Sequence, residues 1–583
     1  MMSIRLAAAL AVAGAAPVVC QIPALPNAGA PFVRFSGQLG SYGELYDRSG
    51  TPGRRPGGTG RGYLNGNLVL LGSVTVGIDL LATTEDGTSL GYGGLPGRQG
   101  ISRFGLHPQW TWGRAHLGSY SDSYTPLTLS GVQLTGAAVD LNPGRVRFGA
   151  FGGRAASAVV GGATTGSYNR TMAGGRLGFG RQPDQGRPAT FFDLVVTRTW
   201  DDPSSLPVDA TLPPNAPTAG GLAPVNPYAV TPHENLVVAG IGGISLLDGR
   251  LAWRGEVAGA LETPDRRATP LDLSQVSVPG ILGGLVTPRV STHLDYAYSS
   301  DLQLRVPRLP GARPGAPRTL TATLGYRYVG PGYSSLGVAS LPNDIEAVNA
   351  SANLLFGRCS AQLLGGTQHD NLIGQKLYTT TRDRLGAVLT VRPGRKWTAT
   401  LRASVLTMGN GSTDSLAWMD YSAWSLGASQ AFSLGARGRV QTVSVDYNYQ
   451  SAGDANPLRI GTKFGAHSGS ARLTVSIGSS VRVSPTFGFT TSQSDTSGWA
   501  TRATFGAAVA WRGRGGRLTS TGSFGRSTYL RSNAWNVTLN ARLQVTDLNS
   551  LVLAVQSNRF RDAAALDNRF NEQIVSLRWE RRL

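Results

Sequence analysis

The segment Trp535–Thr546, with the sequence WNVTLNARLQVT, alternates apolar and polar residues without interruption. Every odd-numbered residue in it is apolar, and every even-numbered residue is polar or charged. A period of two is typical of a β-strand that has one apolar face and one face in contact with water. The same alternation recurs at Leu320–Tyr328, Trp397–Leu406 and Gln441–Gln450. The pattern therefore predicts many strands distributed along the chain.

The composition favours strands that cross a membrane. The chain has 583 residues, a formal net charge of +20, 78 glycines and only 15% charged residues. No stretch after the N-terminus contains the ~20 apolar residues that a transmembrane helix needs. A soluble β-propeller or β-solenoid would show a blade or rung repeat, and we find none in this sequence. A closed barrel with lipid outside and water inside accounts for the alternation.

Tight turns allow the strands to be counted, because glycine, proline, aspartate and asparagine permit the chain reversals of hairpins. Twelve such turns are Leu71–Ser73, Trp112–Arg114, Asn142–Arg145, Arg181–Pro188, Leu247–Arg250, Pro307–Arg318, Gly357–Ser360, Arg392–Lys396, Gly435–Arg439, Gly478–Ser480, Arg512–Arg517 and Thr546–Ser550. Thirteen longer loops separate them, which gives 26 strands, within a range of about 24 to 28. The region Ile101–Leu141 has the least regular pattern. We predict an all-β fold: a transmembrane, antiparallel, up-and-down β-barrel over residues 32–583, with no separate plug domain.

The first residues have the pattern of an export signal. Arg5 precedes the apolar, alanine-rich stretch Leu6–Val19, and cleavage after Ala15 or Cys20 fits this pattern. Cys20 also allows an alternative, in which this cysteine is acylated. We therefore predict a signal peptide at residues 1–20 and a short periplasmic segment at residues 21–31.

The chain ends in a further alternating segment, Gln573–Leu583, in which Val575, Leu577, Trp579 and Leu583 share the outward parity. The opening segment, Ser36–Tyr46, has the pattern of a first barrel strand. With these features the chain resembles the large outer-membrane β-barrels of Gram-negative bacteria, the porin-like and transporter-like proteins. The resemblance implies a location in the outer membrane, contact with outer-membrane lipid, and insertion by the outer-membrane assembly machinery.

The tight turns are rich in basic residues, and short turns face the periplasm in such barrels. We predict a basic periplasmic rim formed by Arg114, Arg145, Arg250, Arg358, Arg395, Lys396, Arg437, Arg439, Arg512, Arg514 and Arg517. It would contact anionic lipid heads, dock an acidic partner or attract anions. A simpler interpretation is that arginine only keeps these turns hydrated.

Charged residues also fall on the predicted inner face. The pore-lining candidates are Arg254, Arg327, Arg402, Arg472, Arg482, Arg502, Arg542, Arg578, Glu256, Asp295 and Asp446. Because charged rings bias a pore toward counter-ions, the small excess of arginine predicts a mild preference for anions. The alternative is a set of arginine–carboxylate pairs that braces the wall.

The sequence contains no recognisable catalytic or cofactor motif. The six histidines are scattered without metal-ligand spacing, and the glycine-rich basic segment Gly53–Arg61 is best interpreted as a hydrated loop that binds no nucleic acid. We therefore expect no enzymatic activity, no cofactor and no metal.

Two functions remain open. The first is an outer-membrane channel for passive or gated passage of solutes, occluded by inward-folding loops such as Asp201–His233 or Thr263–Thr292. The second is a barrel scaffold occupied by a periplasmic or surface protein, as part of an export or surface-assembly machine.

Overall fold

A computed structural model describes residues 32–51, 56–84, 103–159, 166–181, 189–206, 230–271, 285–311, 317–338, 340–435, 442–529, 532–562 and 569–583. The predicted signal peptide and the segment 21–31 lie outside these residues, as do the central parts of the two loops that we expected to occlude the lumen. No helix of the described residues is both long and apolar enough to cross a membrane.

The described residues form 26 strands, which we number in chain order. The first thirteen are β1 (Val33–Ser49), β2 (Gly58–Leu70), β3 (Val74–Thr83), β4 (Arg103–Trp110), β5 (Gly113–Thr125), β6 (Leu129–Leu141), β7 (Val146–Ala156), β8 (Arg170–Gly180), β9 (Phe191–Asp201), β10 (Glu234–Leu246), β11 (Leu251–Thr263), β12 (His293–Val306) and β13 (Arg318–Val329). The others are β14 (Ile345–Phe356), β15 (Cys359–His369), β16 (Thr380–Gly394), β17 (Trp397–Asn410), β18 (Asp420–Ser433), β19 (Thr442–Asp454), β20 (Phe464–Ile477), β21 (Val481–Ser494), β22 (Ser497–Gly513), β23 (Leu518–Tyr529), β24 (Ser532–Gln544), β25 (Asn549–Asp562) and β26 (Phe570–Arg582). Single 3-10 turns occur at Pro203–Ser205, Leu247–Gly249 and Arg514–Gly516.

Each strand pairs antiparallel with its neighbours in sequence, and the sheet closes on itself. The closing pair is β1 with β26, which are in register from Gln38↔Arg582 to Ser49↔Asn571. Closure removes the free sheet edges, so that every strand finds hydrogen-bond partners within the wall. The predicted antiparallel barrel of 26 strands is confirmed.

All twelve predicted turns fall at connections between consecutive strands. The connections on the opposite side are mostly longer, although three of them contain only two or three residues: 126–128, 495–496 and 530–531. In barrels of this kind the side with short turns faces the periplasm, so we call that side the periplasmic rim and the opposite side the extracellular rim.

The side chains alternate between two faces of the wall, as the sequence predicts. In β24 the apolar row is exposed, with Trp535, Val537 and Leu539 at 38%, 47% and 43%. The register continues this row onto Val555 of β25 and Val575 of β26. A wall with an exposed apolar face on one side is suited to hydrocarbon on that side. We therefore call this face outward and the alternate, mainly polar face inward.

Candidate functional site

The wall is interrupted at the hairpin formed by β5 and β6. Strand β5 pairs with β4 only over Gly113–Gly118, and β6 pairs with β7 only over Thr135–Leu141. Beyond these points, residues Ser119–Leu134 pair with each other and make one further bridge, from Ser130 to Val338. We call Ser119–Leu134 the lumenal hairpin, because the contacts described next place it against the inward face of the wall.

Four glycines in register mark the line where the hairpin leaves the wall. Gly105 of β4 is opposite Gly118 of β5, which is opposite Gly136 of β6, which is opposite Gly153 of β7. Gly118 has a φ of +89°, in the region that favours glycine. A Cβ atom at Gly118 would lie 2.1 Å from the carbonyl oxygen of Phe104, and one at Gly136 would lie 2.1 Å from that of Gly152. Any larger residue would force these backbones apart.

The apolar side of the lumenal hairpin packs on the inner faces of β6, β7 and β8. Tyr120, Leu129 and Leu134 are at most 5% exposed, and they contact Phe151 of β7 and Met172 of β8. Buried apolar contacts of this kind stabilise the hairpin by about 1.5–3 kcal/mol per side chain relative to exposure to water. The hairpin is thus held along the wall.

An ionic cluster fixes the base of the same hairpin. Arg114 of β5 lies 3.5 Å from the carboxylate of Asp122 in the hairpin and 3.3 Å from that of Asp140 in β6. Arg176 of β8 approaches Asp140 to 2.5 Å. Arg114, the second residue of β5, therefore lies next to the short β4–β5 connection, and its guanidinium is bound between two carboxylates on the inward face.

The tip of the hairpin reaches the inner faces of β10–β14. Leu127 is 1% exposed and inserts into a pocket in the wall. The pocket is lined by Val237, Ala239, Ala258, Ala260, Ala297, Val329, Tyr333 and Ile345. Small apolar residues on an inward face are unusual for a water-filled barrel, and here they form a socket for a leucine that comes from another part of the wall.

Two polar contacts close around Leu127. The hydroxyl of Thr125 donates a short hydrogen bond to the carboxylate of Glu256, which is 4% exposed. The hydroxyl of Tyr333 donates to the carbonyl oxygen of Leu127 at 2.8 Å. Because burial raises the pKa of Tyr333, its hydroxyl keeps the proton that this contact requires over the physiological pH range.

The loop between β13 and β14 clamps the same tip. The Ser335 hydroxyl donates to the carbonyl oxygen of Thr128 at 2.7 Å, and the Ser130 N–H donates to the carbonyl oxygen of Gly337 at 2.9 Å. The loop is in turn held by Asn235 of β10, whose side chain binds the backbone of residues 334 and 336. The inward-folding segments that the structure describes are thus the β5–β6 hairpin and the β13–β14 loop.

The dimensions show how much of the lumen this hairpin covers. Twenty-six strands spaced ~4.8 Å apart and tilted by ~40° would enclose a lumen about 50 Å wide if it were circular. Eight residues on each side of the tip extend about 25 Å. The hairpin therefore covers one side of such a lumen, and no other segment among the described residues packs on the inner face of β15–β24 in the same way.

That wall carries arginines without acidic partners. Arg402, Arg472, Arg482 and Arg502 all lie on the inward face, and none of them forms an ion pair with a described carboxylate. The Arg472 guanidinium donates to the Thr486 hydroxyl at 3.3 Å, and that of Arg502 lies over the Tyr529 ring. Their positive charges therefore act on the lumen.

The other predicted pore-lining residues also lie on the inward face, in different surroundings. Arg542 and Arg578 both bind Glu580, at 3.4 and 3.3 Å. Asp295 accepts a hydrogen bond from the backbone N–H of Gly332 at 2.7 Å. Arg254, Arg327 and Asp446 complete the set at inward positions of β11, β13 and β19. Two further inward arginines of the open wall, Arg382 and Arg384, escaped the sequence reasoning.

The basic rim is described in part. Of the residues predicted for this rim, those that are exposed at the short connections are Arg145, Arg250, Arg358, Arg395, Lys396 and Arg517. Arg512 lies on the inward face of β22, opposite Thr519. Arg437 and Arg439 fall outside the described residues, and only the backbone of Arg514 is described.

A signal for the lumenal hairpin exists in the sequence, as a reversal of the alternation. On the periplasmic side of the four glycines, the apolar positions of β5 and β6 are odd-numbered, as at Leu117 and Val139. On the other side of these glycines the apolar residues nearest to them, Tyr120 in β5 and Val132 and Leu134 in β6, are even-numbered. A one-residue change of phase turns the apolar side chains toward the opposite face. The reversal explains why the pattern of Ile101–Leu141 looked irregular.

Comparisons with known proteins show similarity of fold only. No protein-family model matches the chain, and no curated protein matches it. The siderophore receptor PirA from Pseudomonas aeruginosa matches with a TM-score of 0.38 and 11% identity, over 94% of this chain and 81% of the receptor. The P pilus usher PapC translocation pore matches with a TM-score of 0.33 and 10% identity, over 94% and 99%. The E. coli P pilus tip assembly intermediate PapC-PapD-PapK-PapG matches with a TM-score of 0.43 and 11% identity, over 94% of this chain and 60% of the matched chain. Such values say nothing about substrate or partner.

The location follows from the wall itself. A closed antiparallel barrel with an apolar outer face pairs the backbone groups of its strands within the sheet, which is the condition for crossing a bilayer as strands. Single-chain barrels of this size with an even number of strands belong to the bacterial outer membrane. The protein is an outer-membrane β-barrel.

Proposed function

We propose that the protein is a channel through which solutes, preferably anions, cross the outer membrane. The observation that carries the proposal is the polar wall of β15–β24 with its unpaired, inward-facing arginines. The lumenal hairpin narrows the other side of the lumen, in the place of a separate plug domain. The proposal includes no catalysis, cofactor or metal.

The charges on the open wall favour anions for a simple electrostatic reason. A guanidinium that is paired with a carboxylate contributes little net field to the lumen, whereas an unpaired one attracts counter-ions. Among the described residues, Arg402, Arg472 and Arg502 have no acidic partner, and Asp446 of the same wall forms no ion pair. We therefore expect the anion to be the more permeant ion of a simple salt.

Planar-bilayer recording of the purified full chain tests this proposal. In a KCl gradient the reversal potential should show Cl⁻ to be more permeant than K⁺. The quadruple variant R402Q/R472Q/R482Q/R502Q should lose most of this preference with little change in conductance. A matched control, R145Q/R250Q/R395Q/K396Q, removes the same charge from the periplasmic rim and should retain the preference. A barrel that is silent, or equally selective with and without the four wall arginines, would contradict the proposal.

The exposed cations of the periplasmic rim favour a second candidate, a scaffold whose lumen or rim is occupied by an acidic protein. Arg145, Arg250, Arg395 and Lys396 are all exposed at short connections on one side of the barrel. If the protein is a scaffold, it should be purified together with a stoichiometric partner and should not conduct. The variant R145Q/R250Q/R395Q/K396Q should lose that partner. Steady conductance of the pure protein would dismiss it.

The same proposal includes a route to the membrane. Residues 1–20 would direct export in a Gram-negative cell, the outer-membrane assembly machinery would insert the strands, and membrane lipid would contact the outward face. Removal of residues 1–20 should leave the protein in the cytoplasm, which fractionation of cells would show.

A further inference from the structure

A concave recess with aromatic walls lies on the outward face at the extracellular rim. It is formed where β18 begins at Asp420, β19 ends at Asp454, β20 begins at Phe464 and β21 ends at Ser494. Its volume is about 600 Å³. Because the short turns set the periplasmic side, this recess lies at the level of the headgroups in the outer leaflet.

Its walls are a continuous series of aromatic rings. The ring centroids of Trp424 and Tyr449 are 4.7 Å apart, those of Tyr449 and His467 are 4.5 Å apart, and those of His467 and Trp499 are 5.7 Å apart. Trp424, Tyr449 and His467 share the outward parity with Leu426, and the register carries this parity to Thr501, two residues after Trp499. Trp499 is 53% exposed, so that a large part of its ring faces open space.

Its floor is made of small residues. Gly453 and Gly465 line the recess together with Ser451. A Cβ atom at Gly465 would lie 3.9 Å from the Trp499 ring and 4.0 Å from the Tyr449 hydroxyl, so that a side chain there would fill the space between the two rings. A larger side chain at this position would therefore project into the recess.

Polar groups surround the aromatic walls. Asp420, Ser422, Gln493 and Asp495 line the recess and are exposed. Lys463 is the cation among the lining residues. Rings that present flat apolar faces beside carboxylates, an amide and hydroxyls match a pyranose, whose C–H face stacks on an aromatic ring while its hydroxyls donate to carboxylates.

Other occupants fit these groups less well. An acyl chain would leave two carboxylates in contact with hydrocarbon, which is unfavourable. A phosphate would be repelled by Asp420 and Asp495, with one lysine to compensate. A girdle of interfacial aromatic residues does not by itself require a recess. At the opposite rim, the ring centroids of Trp397 and Phe432 are 5.9 Å apart, and the indole N–H of Trp397 donates to the Gln430 side-chain oxygen at 2.7 Å.

We propose that this recess binds a sugar unit in the headgroup of an outer-leaflet glycolipid, with Trp424, Tyr449 and Trp499 as stacking surfaces and Asp420, Gln493 and Asp495 as hydrogen-bond partners. The site is independent of conduction through the lumen, because all its stacking residues face away from the lumen. It would hold the barrel to glycolipid at one defined place on its circumference.

Native mass spectrometry in detergent tests this with three probes: lipopolysaccharide with its core sugars, the same glycolipid without core sugars, and free core oligosaccharide. The wild-type protein should bind the first probe best. The variants W424A and G465V should each bind it at least about tenfold more weakly. The control W397A removes the same residue type from the opposite rim, where Trp397 is 39% exposed, as is Trp424, and it should bind like the wild type.

Three results would overturn the proposal. Equal binding of core-bearing glycolipid by the wild type, W424A and G465V would remove the recess as the site. Equal binding of the glycolipid without core sugars would assign the contact to the lipid part. Binding of the free oligosaccharide as tight as that of the glycolipid would assign the site to soluble glycans. Because W424A and G465V alter the recess in opposite ways, loss of binding in both cannot be ascribed to one misfolded variant, and bilayer conductance of each variant reports separately on the channel.

Discussion

The wall of β5–β14 and the wall of β15–β24 are built from the same alternating strands, but their inner faces differ. The first is packed: Leu127, Leu129 and Leu134 are at most 1% exposed, and Arg147 is buried against Asp193. The second is open: no described hydrophobic residue between Ala347 and Ala452 is buried. Closure of the sheet thus determines the wall, whereas the inward side chains determine whether another segment packs on a region of it.

The difference originates in which residues occupy the inward parity. In β10–β12 a group of small apolar residues that includes Ala239, Ala258 and Ala297 receives the tip of the lumenal hairpin. In β17–β20 the inward residues include hydroxyl-bearing and charged ones, as at Ser404 and Arg472. Apolar inward residues gain free energy only when another segment covers them, whereas polar ones can remain in water.

Removal of the lumenal hairpin should have the largest effect on the contrast between the two walls. A variant that replaces residues 121–133 by Gly-Gly, so that Tyr120 and Leu134 flank a two-residue turn, should open the packed side. Because the hairpin lies between the packed wall and the lumen, single-channel conductance should rise when it is removed. The matched control replaces the extracellular loop 411–419, on the open side, by Gly-Gly and should keep the wild-type conductance. A hairpin variant with unchanged conductance would show that the hairpin does not narrow the path.

Loss of the buried ion pair of the packed wall should lower the stability of the protein and leave its ion selectivity unchanged. The Arg147 guanidinium lies 2.6 Å from the carboxylate of Asp193, and both side chains are almost completely buried. The variant R147M leaves Asp193 buried without a partner, which should lower the free energy of unfolding by about 3–5 kcal/mol. Arg402 of the open wall has no such partner, so R402Q should change the free energy of unfolding by less than about 0.5 kcal/mol. Denaturant titration in detergent measures the free energy of unfolding of both variants. An equal decrease in R147M and R402Q would contradict the distinction between the two walls.

Truncation of the tip should release the hairpin with a smaller free-energy change. The variant L127A leaves a cavity in the alanine-lined pocket and should weaken docking of the tip by about 2–5 kcal/mol. The hairpin would then move between docked and released positions, and the current should show steps that the wild type lacks. Leu377, which is 100% exposed in the β15–β16 connection, provides the control L377A, for which we expect a steady current. A steady current from L127A would indicate that the tip is held mainly by polar contacts such as that of Thr125 with Glu256.

The wall was predictable from the sequence because the lipid and the lumen impose opposite requirements on alternate residues. The segments around Trp397 and Trp535 reveal their two faces without any tertiary information. The turns were predictable for a similar reason, because reversals such as Gly478–Ser480 need residues that tolerate them. Hence the strand number and the inward parity of Arg402 and Arg472 agree with the sequence prediction.

The packing inside the lumen was not predictable in the same way. The sequence favoured the long loops after Asp201 and Thr263 as the segments that fold inward, because length and proline content were the only criteria for choosing. The central parts of those loops lie outside the described residues, and within the described residues a three-residue connection, 126–128, forms the tip of an inward hairpin. Its docking depends on inward alanines contributed by strands more than 100 residues away, and no local pattern relates Leu127 to Ala258. The paired state of Arg114 escaped prediction for the same reason.

The division of the inner wall into a packed side and an open side can be measured by cysteine accessibility. In a C359S background, one variant carries A258C, at a position 1% exposed beneath the tip of the hairpin, and the other carries S404C on the open wall. Each is reconstituted and treated with a charged, membrane-impermeant thiol reagent while the current is recorded. We expect S404C to react at least about 100-fold faster than A258C, because the latter reacts only when the tip is released. Equal rates of modification at the two positions would contradict the account.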